Sequence, residues 1–131
     1  MNTETSLMKL AGEAARHAVA RQSVIAQNVA QADTPGYRAR DLTPFADAMA
    51  RAGSPFEAKA TRTGHQGARA LAAGTEVVEA ALPGTESLDG NTVAIEDQMM
   101  RADAARRQHD LALTLYRKSI DILRLGLGRQ R

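Results

Sequence analysis

Residues 93–127 read VAIEDQMMRADAARRQHDLALTLYRKSIDILRLGL, with no proline and no glycine before Gly126. Ile95, Met99, Ala102, Arg106, His109, Leu113, Tyr116, Ile120, Leu123 and Leu127 recur in alternating steps of four and three, the spacing of a helix face that meets a partner helix. Sustained for over four heptads, the pattern predicts a helix of about 50 Å. A second apolar row, Met100, Ala104, Leu111, Leu115, Ile122 and Leu125, runs along the same helix. One partner stripe cannot cover both rows, so helices from neighbouring subunits are the simplest cover for the second. Gly126 and Gly128 predict the end of the helix. Asp89-Gly90-Asn91-Thr92 predicts its start, with Asn91 as the N-cap and Glu96 and Asp97 where the helix dipole favours anions.

The N-terminal end mirrors this. From Thr3 to Gln31 there is no proline, and Leu7, Ala11, Ala14, Ala18, Arg21, Ile25, Asn28 and Ala32 form a second seam of steps of four and three. Being mostly alanine, it admits a partner helix at the short end of the roughly 8–10 Å interaxial range. Arg21 and Asn28 interrupt it seven residues apart. Either the helix turns them to water, or they are polar specifiers that fix register and partner at a cost in stability.

Pro35 lacks an amide proton and drives Thr34 out of the helical region, so the first helix stops near Ala32. Asp33-Thr34-Pro35-Gly36-Tyr37 then reads as a type II turn, in which Gly36 supplies the positive φ. Thr43-Pro44 reads as an N-cap and first helical proline opening a short helix through Phe45 to about Ala52. Residues 53–90 carry a net charge of −2 and few large apolar side chains, and predict an extended, partly disordered connector. Thr75–Leu82 is its most strand-like piece and Ala58–Thr63 a weaker one. The chain therefore divides into an N-terminal helical region (1–52) containing the Asp-Thr-Pro-Gly-Tyr turn, a central connector (53–90) and a C-terminal long helix (91–131). The two ends together form one all-α, coiled-coil-like domain.

Composition excludes several functions. Leu, Ile, Val and Phe supply 24 of 131 residues, a thin core, while the net charge of +2 is too small for a fully disordered chain. Such a chain completes its core with copies of itself or with partners, and its termini stay largely unfolded when alone. There is no cysteine, hence no disulfide, thiolate metal site or thiol nucleophile. His17, His65 and His109 are too far apart for a zinc motif, and no phosphate-binding glycine loop occurs. No cofactor or small-molecule substrate is expected. No run is long enough to span a membrane, and no secretory signal is visible, which points to a chain made soluble in the cytosol and not sent out by the general secretory route. The Arg101, Arg106, Arg107, Arg117 and Arg124 set could lie along DNA, as in a cytosolic adaptor or nucleic-acid-binding protein. Asp97, Asp103, Asp110 and Asp121 interleave it and aromatics are scarce, so an ion-pairing face is the stronger reading, without nucleic acid.

The segment from Arg21 through Asn28, Ala30 and Asp33-Thr34-Pro35-Gly36-Tyr37 to Arg40, Asp41 and Phe45 resembles the N-terminal signature of bacterial flagellar rod and hook proteins. Its continuation after Tyr37 is most similar to that of the proximal rod members. Ser87-Leu-Asp89-Gly90-Asn91-Thr-Val93 and Thr61-Arg-Thr-Gly-His65 resemble further elements of that family, although Ala94 stands where relatives often carry an acid. The resemblance implies a structural, non-enzymatic subunit that stacks into a hollow helical rod across the periplasm, exported by the flagellar type III apparatus without a cleaved signal peptide. It also implies as partners copies of the chain, the other rod proteins, the rod-to-membrane-ring junction protein and the MS ring. Leu7, Ile25, Ile95, Met99, Leu113, Tyr116, Ile120 and Leu123 are the expected subunit-packing residues.

Overall fold

A computed structural model describes residues 2–52, 76–80 and 86–128. Its elements are α1 (Asn2–Ala30), β1 (Arg40–Leu42), α2 (Phe45–Ala52), β2 (Val77–Glu79) and α3 (Ile95–Gly128). Of the connector, 53–75 and 81–85 lie outside the described residues, and with them Thr61–His65 and the strand-like Ala58–Thr63.

Helices α1 and α3, of 29 and 34 residues, pack side by side as the dominant contact of the chain. Asn28 in the last turns of α1 bonds Gln98 in the first turn of α3. From that point the buried positions run back along α1 through Ile25, Ala18 and Ala11, and forward along α3 through Ala105, Ala112 and Ser119, so the helices are antiparallel. Each track repeats every seven residues, as a heptad seam requires. The seam is made of small side chains, with Asn28, Gln98 and Ser119 its largest fully buried ones.

This places the face of α3 differently from the sequence expectation. The face against α1 is Gln98, Ala105, Ala112 and Ser119, whereas Ile95, Met99 and Tyr116 of the expected seam are exposed and Leu113, Ile120 and Leu123 are half-buried beside it. The reason is volume. The alanines of α1 leave room for close approach only by other small residues, and bulky side chains are displaced to the flank. Ile25, expected at subunit contacts, is buried within the chain, and Leu7 is exposed. The second row, from Met100 to Leu125, is uncovered as expected. α3 passes through Gly126 and runs to Gly128, the last described residue, glycine being costly but not forbidden in a helix.

After the turn the chain doubles back along α1. β1 pairs antiparallel with β2, Arg40 opposite Glu79 and Leu42 opposite Val77. β2 falls within the strand-like Thr75–Leu82, while β1 had no local signal. Thr43 does not cap α2. Its hydroxyl donates to the Glu76 carbonyl at 3.0 Å and accepts from the Glu76 amide at 2.9 Å, closing the end of the ribbon, and Pro44 accepts the first bonds of α2 through Ala48. α2 packs through Phe45, whose ring lies 5.5 Å from that of buried His17, and the His17 Nε2–H donates to the Thr43 carbonyl at 2.8 Å.

Candidate functional site

The sequence signature residues converge where the end of α1, the returning strand and the start of α3 meet. The type II turn is present: the Tyr37 amide donates to the Thr34 carbonyl at 3.2 Å and Gly36 has φ of +70°. Gly36 also donates its amide to the Asp89 carbonyl at 2.9 Å. Gly90, with φ of +81°, brings a second turn against the first, such that a Cβ on Gly90 would lie 3.5 Å from the Gly36 Cα. Asp33, Thr34 and Pro35 face water on this corner, as does Ala30 at the end of α1.

Asn91 does not cap α3. Its Nδ2 donates towards the carbonyls of Gln31, Ala32 and Thr34 at 3.0, 2.8 and 2.8 Å, in the turn that follows α1. Its Oδ1 accepts from the Val93 amide at 2.7 Å, an Asx turn that aims the chain into α3. One buried carboxamide thus ties the turn after the first helix to the start of the second. Thr92 completes the join, its hydroxyl accepting from the Ala39 amide and its own amide donating to the Tyr37 carbonyl.

Asn28 is fully buried and uses its whole hydrogen-bonding capacity. Nδ2 donates to the Arg40 carbonyl at 2.6 Å and to Gln98 Oε1 at 2.9 Å, while Oδ1 accepts from the Arg40 amide at 3.0 Å and the Tyr37 hydroxyl at 3.3 Å. The carboxamide takes the place of a neighbouring strand for Arg40. No side chain without two donors and two acceptors in one plane can do this.

Asp41 is the electrostatic centre. Arg21 grips it with two bonds of 2.8 Å, Arg101 adds one of 2.7 Å to Oδ2, and the Leu42 amide donates to Oδ1 at 2.8 Å. Arg101 also reaches Asp97 at 2.7 Å. Burial alone would push the Asp41 carboxyl up, but the Arg21 guanidinium, the Leu42 amide and Arg101 outweigh it and hold it below the usual carboxylate range.

Both polar breaks in the α1 seam therefore fasten the returning strand to the two helices. Sequence reasoning missed Gln98, Thr92 and His17 here. Gln98 alone had a signal: it stands seven residues before Ala105 and fourteen before Ala112, a polar member of a small-residue track. Arg101 and Arg107 pair with Asp97 and Asp103, as the interleaved charges suggested. Outside this junction α3 exposes large apolar side chains among its charged ones: Met99, Met100, Leu111, Leu125 and Leu127 are each at least 60% exposed. Met100, Leu111 and Leu125 share one face of the helix with Leu115 and Ile122.

A helical hairpin closed by a saturated polar clasp, with its bulkiest apolar side chains turned outward, is the build of a structural assembly subunit. No protein-family profile matches the chain. It is similar to the flagellar basal body rod protein FlgB of Escherichia coli K12, 36% identical over 101 residues that cover 72% of each chain. FlgB of Agrobacterium fabrum is 28% identical over 113 residues, 85% of this chain and 84% of that one. FlgB of Cereibacter sphaeroides is 38% identical over 95 residues, 71% of this chain and 73% of the other. The chain belongs to the FlgB family of flagellar basal body rod proteins. It is a structural subunit of the proximal rod and not an enzyme.

Proposed function

We propose that the chain is exported through the flagellar type III apparatus without a cleaved signal peptide and stacks in the periplasm into a hollow helical drive shaft. Its partners are copies of itself, the other rod proteins, the protein joining rod to membrane ring, and the MS ring. It takes no nucleic acid and no small-molecule substrate. Residues 1–52 and 91–131 act as one packing domain, with the connector 53–90 between them.

The observation that supports this reading is the division of labour along α3. Small side chains are used inside the chain, and the large ones, from Ile95 and Met99 to Leu127, are left for neighbours. Each large side chain buried on stacking contributes about 1.5–3 kcal/mol, repeated at every subunit, which gives a shaft its resistance to shear. The signature residues serve stacking indirectly, by setting the angle at which the exposed corner Asp33–Gly36 and the outer face of α3 are presented. Deleting the gene and imaging basal bodies tests the reading. Rods are expected to be absent, and intact flagella would overturn it.

A further inference from the structure

We propose that Met99 and Met100 form an oxidation site at which peroxide-class oxidants block subunit assembly. The inference rests on the reading that neighbours cover the outer face of α3. The chain has no cysteine, so thioether sulfur is its softest nucleophile. Met99 and Met100 stand side by side in the second turn of α3 and are 67% and 68% exposed, whereas Met8 and Met49 are half-buried. A peroxide therefore reaches this pair before Met8 or Met49, and reaches it only while the face is uncovered.

The step is a two-electron oxygen transfer. The sulfur lone pair attacks one peroxide oxygen and the O–O bond breaks. That oxygen remains on sulfur as the sulfoxide, and the other leaves as water with both protons. Sulfur is oxidised and the peroxide reduced. The product replaces a flexible apolar side chain with a polar one carrying a strong acceptor, on a face that must be desolvated. Gln98 and Arg101 flank the pair in sequence but point into the junction, so the hairpin itself is left intact.

The test uses the full-length protein and hydrogen peroxide. Peptide mass mapping over time should show one oxygen gained at each of Met99 and Met100 several-fold faster than at Met8 or Met49. The same pair should be protected in isolated basal bodies. In a strain lacking the gene, Met99→Leu/Met100→Leu should restore rods and swimming, and Met99→Gln/Met100→Gln, which carries a polar group as the sulfoxide does, should not. Equal oxidation of Met8, Met49, Met99 and Met100, rods built by the Gln variant, or failure of the Leu variant would each overturn the proposal. Failure of the rod reading is separately visible, since the gene deletion itself would then leave rods intact.

Discussion

Asn28 and Asp41 carry different risks, because one is a neutral group used to capacity and the other a buried charge. Asn28→Asp removes two donors and sets a carboxylate against the Arg40 carbonyl and Gln98 Oε1, both within 2.9 Å of the present Nδ2. The expected loss is about 2–4 kcal/mol, read as a lower thermal midpoint in circular dichroism, together with loss of rods in cells. Asp41→Asn strips the charge from between Arg21 and Arg101, at an expected cost of about 2–3 kcal/mol at neutral pH. Its pH dependence follows from the sign of the shift. The carboxyl is held below its unfolded value, so its contribution is complete above that value, about pH 4, and is lost as pH falls through the lower folded one. Unfolding titrations should therefore find wild type and Asp41→Asn converging below about pH 4. At Gly36 nothing within 4 Å would meet a Cβ, so the expected penalty for Gly36→Val is chiefly that of positive φ, about 1–2 kcal/mol, and impaired rod assembly is its expected phenotype.

At the scale of the elements, the antiparallel pair works because α1 and α3 both present small residues at seven-residue intervals. Ala112, nearly fully buried on α3, has no room for three further carbons. Ala112→Leu should destabilise the hairpin by about 1–3 kcal/mol, while Leu115→Ala, on the open side, should leave the isolated chain's stability within about 0.5 kcal/mol and weaken rod assembly. The reverse ranking would mean that the faces have been assigned the wrong way round. The same contrast explains what the sequence made legible. Helices α1 and α3 and the Pro35-Gly36 turn are local facts, encoded by periodicity and by two residues with restricted backbones. The phase of α3 was misread because hydrophobic periodicity ranks Ile95 and Met99 above Ala105 and Ala112, whereas tight packing inside one chain selects by volume. Strand β1 had no signal, since Arg40-Asp41-Leu42 becomes a strand only when Asn28 and β2 supply its partners from either side. Asn91 reads as a cap of the helix that follows it, but the turn its carboxamide holds lies about sixty residues upstream, a relation no local window contains.

For the whole molecule the balance of surfaces sets the behaviour. The junction end is fastened by the saturated carboxamides of Asn28 and Asn91 and by the Asp41 ion cluster, whereas the far half of the hairpin is held by Ala11, Ala18, Ala112 and Ser119, which contribute little apolar area. An alanine seam cannot by itself offset the ordering cost of two helices, about 1–2 kcal/mol per residue for the backbone alone. The free chain is therefore expected to open from the far end while the junction stays closed, and to close fully when neighbours cover Leu111, Leu115, Ile122 and Leu125. Circular dichroism of dilute protein should give less helix than the 29 and 34 residues of α1 and α3 require. Hydrogen exchange should then find protection concentrated around Ile25, Asn28, Thr92 and Gln98 and falling towards Leu7 and Leu123. Uniform protection along both helices, with a sharp thermal transition at full helicity, would show that the hairpin seals itself and that stacking adds neighbours to a finished fold rather than completing one.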